Sequence, residues 1–223
     1  GGMDMLLLEA REQVAHYGRE LLRRGLTTGS FGNLSVYVPE AKVMVISPSG
    51  MDYDHITPQD VSVVTIDGVE LDGQRKPSSE ADLHQVFYHN DPEVGAVVHT
   101  HSTYATLMAC MGKNLEPIHY LIAYAGTMEV PCIPYYPFGT KELAQAAWEG
   151  MGQGRALLLG GHGLVCVGPN LSFTMDAAQQ LEFVAELCYR AQVAGGGVKL
   201  TAKQLESAFE AVKHYHQSEE RKS

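Results

Sequence analysis

Apolar residues recur at helical spacing from Met5 to Leu26, where Leu7, Val14, Leu21 and Leu22 are separated by Arg and Glu. Gly25 and the following Thr27-Thr28-Gly29 stop that run, so the first predicted element is an amphipathic helix. Short apolar stretches then replace the helical period. Leu34 to Val38, Lys42 to Ser47 and Val61 to Ile66 read as strands, the last turned by Asp67-Gly68. Ser78 or Ser79 can cap a helix that runs through Leu83, Val86 and Phe87 to about Asn90. After Asp91-Pro92, Val94 to Val98 reads as a buried strand leading into His99.

Tyr104 to Met111 is predicted as a short helix, Val130 to Tyr135 as a strand among Pro131, Pro134 and Pro137, and Thr140 to Glu149 as another helix. Strands at Ala156 to Leu159 and Val165 to Val167 bracket His162. Long amphipathic helices are expected over Thr174 to Val193 and Thr201 to Tyr215, hinged at Gly195-Gly196-Gly197. Strands do not alternate regularly with helices, so a mixed sheet flanked by helices fits better than a doubly wound one. The length of 223 residues fits one α/β domain over residues 3–223, and Gly1-Gly2 before Met3 reads as a cloning remnant.

Composition narrows the function classes. A formal charge of -10 with no offsetting basic cluster argues against nucleic acid and anionic membranes as partners. An anionic small molecule stays open, because backbone N–H groups can hold it. Cys110, Cys132, Cys166 and Cys188 form no CxxC pair and read as buried, reduced thiols. No signal pattern or membrane-length apolar run is evident, so the expected setting is soluble and cytoplasmic.

Candidate chemistry centres on His99-Thr100-His101 and, far downstream, Gly160-Gly161-His162-Gly163. On a strand, His99 and His101 share a face while Thr100 points away. Three imidazoles suit a divalent transition metal with one open position, and zinc is the default ion. Taken alone, an HxH pair is more often two satisfied strand-end histidines. Lys76-Pro77-Ser78-Ser79-Glu80 offers hydroxyls and N–H groups to an anion at a helix N-terminus, with Glu80 in the first turn as a candidate proton-transfer carboxylate. The plainer reading is a capped surface helix. Gly29-Ser30-Phe31-Gly32-Asn33 and Ser47-Pro48-Ser49-Gly50 can curl N–H groups around a phosphate, yet each alone is an ordinary turn.

Together these stretches, with Ile118–Tyr120 and Phe138–Leu143, resemble the class II aldolase/adducin-like family, typified by bacterial L-fuculose-1-phosphate aldolase. The resemblance spans nearly the whole chain. It implies a three-layer α/β/α fold around a mainly antiparallel sheet, and a homotetramer with active sites between subunits. It implies one Zn2+ per subunit on His99, His101 and His162, with Glu80 transferring a proton and also able to ligate zinc. Gly32, Asn33, Ser49, Gly50, Ser78 and Ser79 match the phosphate pocket of a sugar-phosphate substrate. Tyr120 matches a general acid or base reaching in from a neighbouring subunit, and Phe138 and Tyr215 match the aldehyde pocket. The implied reaction is reversible cleavage of a ketose 1-phosphate to dihydroxyacetone phosphate and an aldehyde.

Departures at Ser47, Ser49, Tyr124, Thr127 and Met128 bear on which aldehyde is released. A 5-deoxy- or 5-methylthio-pentulose 1-phosphate needs the same catalytic residues with a more apolar pocket. An L-ribulose-5-phosphate 4-epimerase resembles the chain at Pro48-Ser49-Gly50 and His99-Thr100-His101, but typically has Asp where Glu80 stands. A non-catalytic, adducin-like interaction domain would lack the metal histidines that are intact here.

Overall fold

The computed structural model describes residues 2–72 and 75–220. Strands β1 (Asn33–Val38), β2 (Val43–Ile46), β3 (Ser62–Thr65) and β4 (Glu70–Asp72) form an antiparallel meander. The chain then crosses the sheet through helix α2 (Ala81–Asn90), and β5 (Ala96–Thr100) pairs antiparallel with β1. β8 (Gly163–Gly168) lies beside β5, followed by β7 (Ala156–Leu159) and β6 (Cys132–Ile133). The complete order is β4-β3-β2-β1-β5-β8-β7-β6. Only β6 against β7 is parallel, so the sheet is mixed and mainly antiparallel.

Most strand positions are buried on both faces, which explains why the strands read as continuous apolar runs rather than alternating ones. One face meets α1 (Gly2–Arg23), α3 (Thr103–Cys110) and α5 (Leu171–Val193). There Val14 and Leu21 of α1, Ala105 and Met108 of α3 and Leu181 of α5 cover Leu34, Val36, Val98 and Leu164. The opposite face meets α2 and α4 (Lys141–Met151), where Leu83, Phe87, Leu143 and Ala147 cover Met44, Ile46, Val97 and Val165. Helices on both faces give the expected three layers. Helix α6 (Ala202–Glu220) packs outside them, with Val212 against Phe173 of α5.

Local chemistry sets the helix boundaries. Gly25 has φ 71° just past α1, which suits glycine after a helix end. Asn170 caps α5 by accepting from the Phe173 N–H at 2.9 Å, so that helix starts earlier than the apolar spacing suggested. Thr140 caps α4 through the Leu143 N–H at 3.2 Å. Glu182 of α5 accepts from the N–H groups of Tyr104 and Ala105 at 3.1 and 2.7 Å, anchoring the start of α3. The junction from β5 into α3 carries His101, so this cap fixes the backbone beside the site.

Several expectations are corrected. Neither Ser78 nor Ser79 caps α2: Glu80 occupies the N-cap position, and the Ser78 hydroxyl accepts from the Glu80 N–H at 3.2 Å. Glu80 therefore stands before the first turn. The Val130–Tyr135 strand shrinks to Cys132–Ile133, because Pro131 and Pro134 have no N–H to offer a ladder. Of the cysteines, all free, Cys166 and Cys188 are buried, but Cys110 is exposed and Cys132 half-buried. Cys110 is the last residue of α3 and faces solvent. The short helices Tyr53–His55, Pro58–Asp60 and Tyr120–Ala125, and strand β4, had no clear signal in the apolar pattern. Among the described residues, no helix is long and apolar enough to cross a membrane.

Candidate active site

The start of β1, the end of β5, the turn before β8 and the N-terminus of α2 meet at one end of the sheet. Antiparallel register puts Asn33 opposite His99, and His99 opposite Val165. His99 is wholly buried, and its Nδ1 lies 2.9 Å from the Leu164 carbonyl, which only accepts. The ring proton therefore sits on Nδ1, and Nε2 faces the site with a lone pair. His101 follows two residues later, just past the strand end, and keeps the shared face predicted for the pair. His162 arrives on the tight β7–β8 turn, where Gly161 has φ 65°.

The three Nε2 atoms converge. His99 Nε2 lies 3.1 Å from both His101 Nε2 and His162 Nε2. Glu80 joins them, with Oε2 at 3.1 Å from His99 Nε2 and Oε1 at 3.1 Å from His162 Nε2. All four ligand atoms lie within 4.8 Å of one another. Tetrahedral zinc, with bonds of roughly 2.0–2.1 Å, separates its ligand atoms by about 3.3 Å, so the constellation fits such an ion. A second observation agrees: Glu80 Oε1 is buried yet accepts no hydrogen bond. An orphaned carboxylate oxygen facing imidazole lone pairs suits a cation.

Electrostatics follow from this crowding. Burial alone would raise the Glu80 carboxyl, but His99 and His162, carrying protons where a cation would otherwise sit, outweigh it and hold the group far below the usual carboxylate range. Glu80 is thus ionised at neutral pH. Burial, assisted by His99 and His162, pushes the His101 imidazole down to about 4, keeping it in the neutral form a metal ligand needs.

Beside Glu80, three loops are drawn together. The Ser49 N–H donates to the Lys76 carbonyl at 2.9 Å, and the Ser78 N–H to the Ser47 carbonyl at 3.1 Å. The Tyr53 hydroxyl donates to the Gly32 carbonyl at 2.7 Å and lies 3.2 Å from Ser47 Oγ, tying the first loop to the second. Gly32 has φ 74°, and a Cβ there would sit 2.8 Å from the His99 carbonyl oxygen, so only glycine allows this approach. Ser49, Gly50 and Ser79 are exposed, whereas Gly32, Asn33 and Ser78 are buried. Asn33 donates one amide hydrogen to Glu80 Oε2 at 2.9 Å, leaving its second for other partners.

The other sequence candidates lie differently. Phe138 is 67% exposed on the loop whose Gly139 approaches the Ser79 carbonyl. Tyr120 is 57% exposed, stacks on His119, and stands on a short helix packed against α5 and α6. The Tyr215 hydroxyl donates to Asp176 Oδ2 at 3.1 Å, and the ring packs with Phe173 in the small cluster between α5 and α6.

Sequence reading missed Phe31, whose ring stacks on His101 at 5.7 Å with 15° between planes. It also missed Ser35, His84 and Tyr88, which are buried together behind Glu80. A signal for the latter was available. Glu80, His84 and Tyr88 recur every fourth residue on α2, while Asn33 and Ser35 alternate on β1, so two polar rows face one another in an otherwise apolar layer.

A family model described as class II aldolase and adducin N-terminal domain matches residues 12–189. The chain belongs to the class II aldolase family. This class II aldolase chain is 40% identical over 213 residues to the 5-deoxy-D-ribulose 1-phosphate aldolase of Bacillus thuringiensis serovar kurstaki, covering 96% of this chain and 100% of that one. It is 36% identical over 197 residues to the L-fuculose phosphate aldolase of Haemophilus influenzae, covering 88% of this chain and 89% of the other. A solved L-fuculose 1-phosphate aldolase matches it with a TM-score of 0.88 at 36% identity, over 92% of this chain and 96% of that one.

Proposed function

We propose that this class II aldolase is a zinc enzyme that reversibly cleaves a ketose 1-phosphate to dihydroxyacetone phosphate and an aldehyde. The observation that carries the reading is the convergence of three histidine Nε2 atoms and the Glu80 carboxylate at 3.1 Å spacings. His99, His101 and His162 would hold the ion, with Glu80 able to join them. When bound, the cation supplies Lewis acidity toward a ketone oxygen and stabilises the negative charge that bond cleavage leaves there.

The chain's own groups do the rest. Gly32, Asn33, Ser49, Gly50, Ser78 and Ser79 would bind the phosphate, with N–H and hydroxyl donors on loops already tied together beside Glu80. Anchoring the phosphate places the ketol over the cluster, so remote binding energy is spent on orientation. A proton leaves the hydroxyl of the departing aldehyde for Tyr120, the carbon–carbon bond breaks, and its electrons move onto the ketone oxygen. In the condensation direction the Glu80 carboxylate removes a proton from the carbon. In cleavage it returns one to the freed carbon after taking it up from solvent, while Tyr120 releases its own to solvent, so no net proton is consumed. Tyr120 would come from a neighbouring subunit of a tetramer, a reading its exposure on the surface of this chain supports. Tyr215 would likewise reach a neighbour's aldehyde pocket, and Phe138 would line it.

Two substrate readings have support. The L-fuculose 1-phosphate type is favoured by the matched fuculose enzymes. A 5-deoxy- or 5-methylthio-pentulose 1-phosphate is favoured by exposed Phe31, stacked on His101, and by exposed Phe138, which give the mouth of the site an apolar rim. A panel of ketose 1-phosphates and ketopentose 5-phosphates, coupled to detection of dihydroxyacetone phosphate, tests both. Release of that product from a 1-phosphate is expected, and the rates rank the aldehyde ends. Interconversion of 5-phosphates without release would replace the aldolase reading with an epimerase.

A further inference from the structure

A buried ladder of hydrogen bonds links α2 to β1 and ends on Glu80, and the reaction above leaves its far rungs without a task. Tyr88 OH lies 2.7 Å from Ser35 Oγ, and Ser35 Oγ lies 2.7 Å from His84 Nδ1. His84 Nε2 contacts Asn33 Oδ1, and Asn33 Nδ2 donates to Glu80 Oε2 at 2.9 Å. His84 and Ser35 are wholly buried, and Asn33 and Tyr88 nearly so.

The chemistry of each partner dictates where the protons sit. An ionised carboxylate only accepts, so Asn33 turns its NH2 to Glu80 and its carbonyl to His84. That carbonyl also only accepts, so the His84 proton is on Nε2. Nδ1 then carries a lone pair, which takes the Ser35 hydroxyl hydrogen, and Ser35 Oγ in turn accepts from Tyr88. Each rung points toward Glu80.

We infer that His84 is a positioning residue for the proton-transfer step: its Nε2–H on Asn33 Oδ1 locks the Asn33 amide in the orientation that grips Glu80 Oε2 and leaves Oε1 turned toward the His162 side of the site. The inference rests on the reading of Glu80 as the group that moves the proton. With the amide flipped, Oδ1 would face the carboxylate, two buried acceptors with no hydrogen between them. Leaving Oε1 free of donors keeps one carboxylate oxygen available, while the other is fixed against rotation.

Exchange of the hydroxymethyl hydrogen of dihydroxyacetone phosphate with deuterated water, followed by NMR, isolates that proton step from bond cleavage. His84→Gln keeps a donor for Asn33 and an acceptor for Ser35, whereas His84→Leu supplies neither. In the zinc-loaded protein, His84→Gln is expected to exchange within about threefold of the parent. His84→Leu should fall by more than about 30-fold with metal content and KM little changed. Equal rates for His84→Leu and the parent, or equal losses in both variants, would overturn the inference. Absence of exchange in the parent sinks the reading of Glu80 instead. A second measurement needs no variant: 15N NMR of the imidazoles is expected to find His84 protonated at Nε2, and an Nδ1–H tautomer overturns the proposal.

Discussion

Gly163 is the tightest point of the candidate site, and adding one methyl there tests whether strand spacing sets the cluster. A Cβ on Gly163 would sit 2.3 Å from the Thr100 carbonyl oxygen, and 3.3 Å from both His101 Cδ2 and His99 Cε1. Carbon–oxygen contacts settle at about 3.3–3.6 Å, so β8 must withdraw from β5 by about 1 Å. The carbonyl belongs to the residue between the two histidines, and no flexible side chain can yield in its place. Overpacking of this kind costs about 1–3 kcal/mol, or roughly 5 °C in melting temperature for a chain of this size. Displacing reactive groups by about 1 Å costs about 100-fold in rate.

Gly163→Ala should therefore melt earlier, hold zinc more weakly in competition with a chromophoric chelator, and lose turnover well beyond its loss of stability. Gly95→Ala is the control: its Cβ would clash with the Pro169 carbonyl at the opposite end of the same β5–β8 pair, so it should disturb folding with far less effect on metal affinity. A Gly163→Ala protein with parental melting, zinc affinity and rate would refute the claim that the β5–β8 approach holds the ligands in place.

Acid stability should depend on His84, because burial holds its imidazole down to about 3 when folded against 6.5 ordinarily. The unfolded chain takes up a proton below about pH 6.5 that the folded chain refuses. The contribution is therefore whole above that pH and falls by about 1.4 kcal/mol per unit as pH drops toward the folded value. Urea melts at pH 7 and pH 5 should show a shallower loss for His84→Gln than for the parent, and identical losses would contradict the burial argument. Glu80→Gln should reduce turnover by about 100-fold or more while zinc stays on the three imidazoles; near-normal activity would remove Glu80 from the proton step. Tyr120→Phe should slow cleavage more than it raises the KM for the sugar phosphate, and the reverse pattern would reassign Tyr120 to binding. Stripping zinc with a chelator should abolish activity and re-addition restore it, so full activity in the stripped protein would end the metal reading.

By itself the sequence determined what depends on near neighbours. Apolar runs between glycines and prolines marked β1, β2, β3, β5, β7 and β8, and helical spacing marked the long helices, because side-chain burial follows backbone period. It also exposed His99, His101, His162 and Glu80, since imidazoles and a carboxylate at such positions stand out against apolar surroundings. Tertiary structure decided which of them meet. Glu80 touches His162 only because α2 begins where the turn before β8 ends, and no local period encodes that encounter. The same holds for the ladder behind Glu80. Its two polar rows were visible separately, but the packing of α2 on β1 makes each the other's hydrogen-bond partner. Tyr120 and Tyr215 were named by the family resemblance and not by local pattern: one stacks on His119 and the other bonds Asp176, and spacing along one chain does not specify which subunit's site either serves.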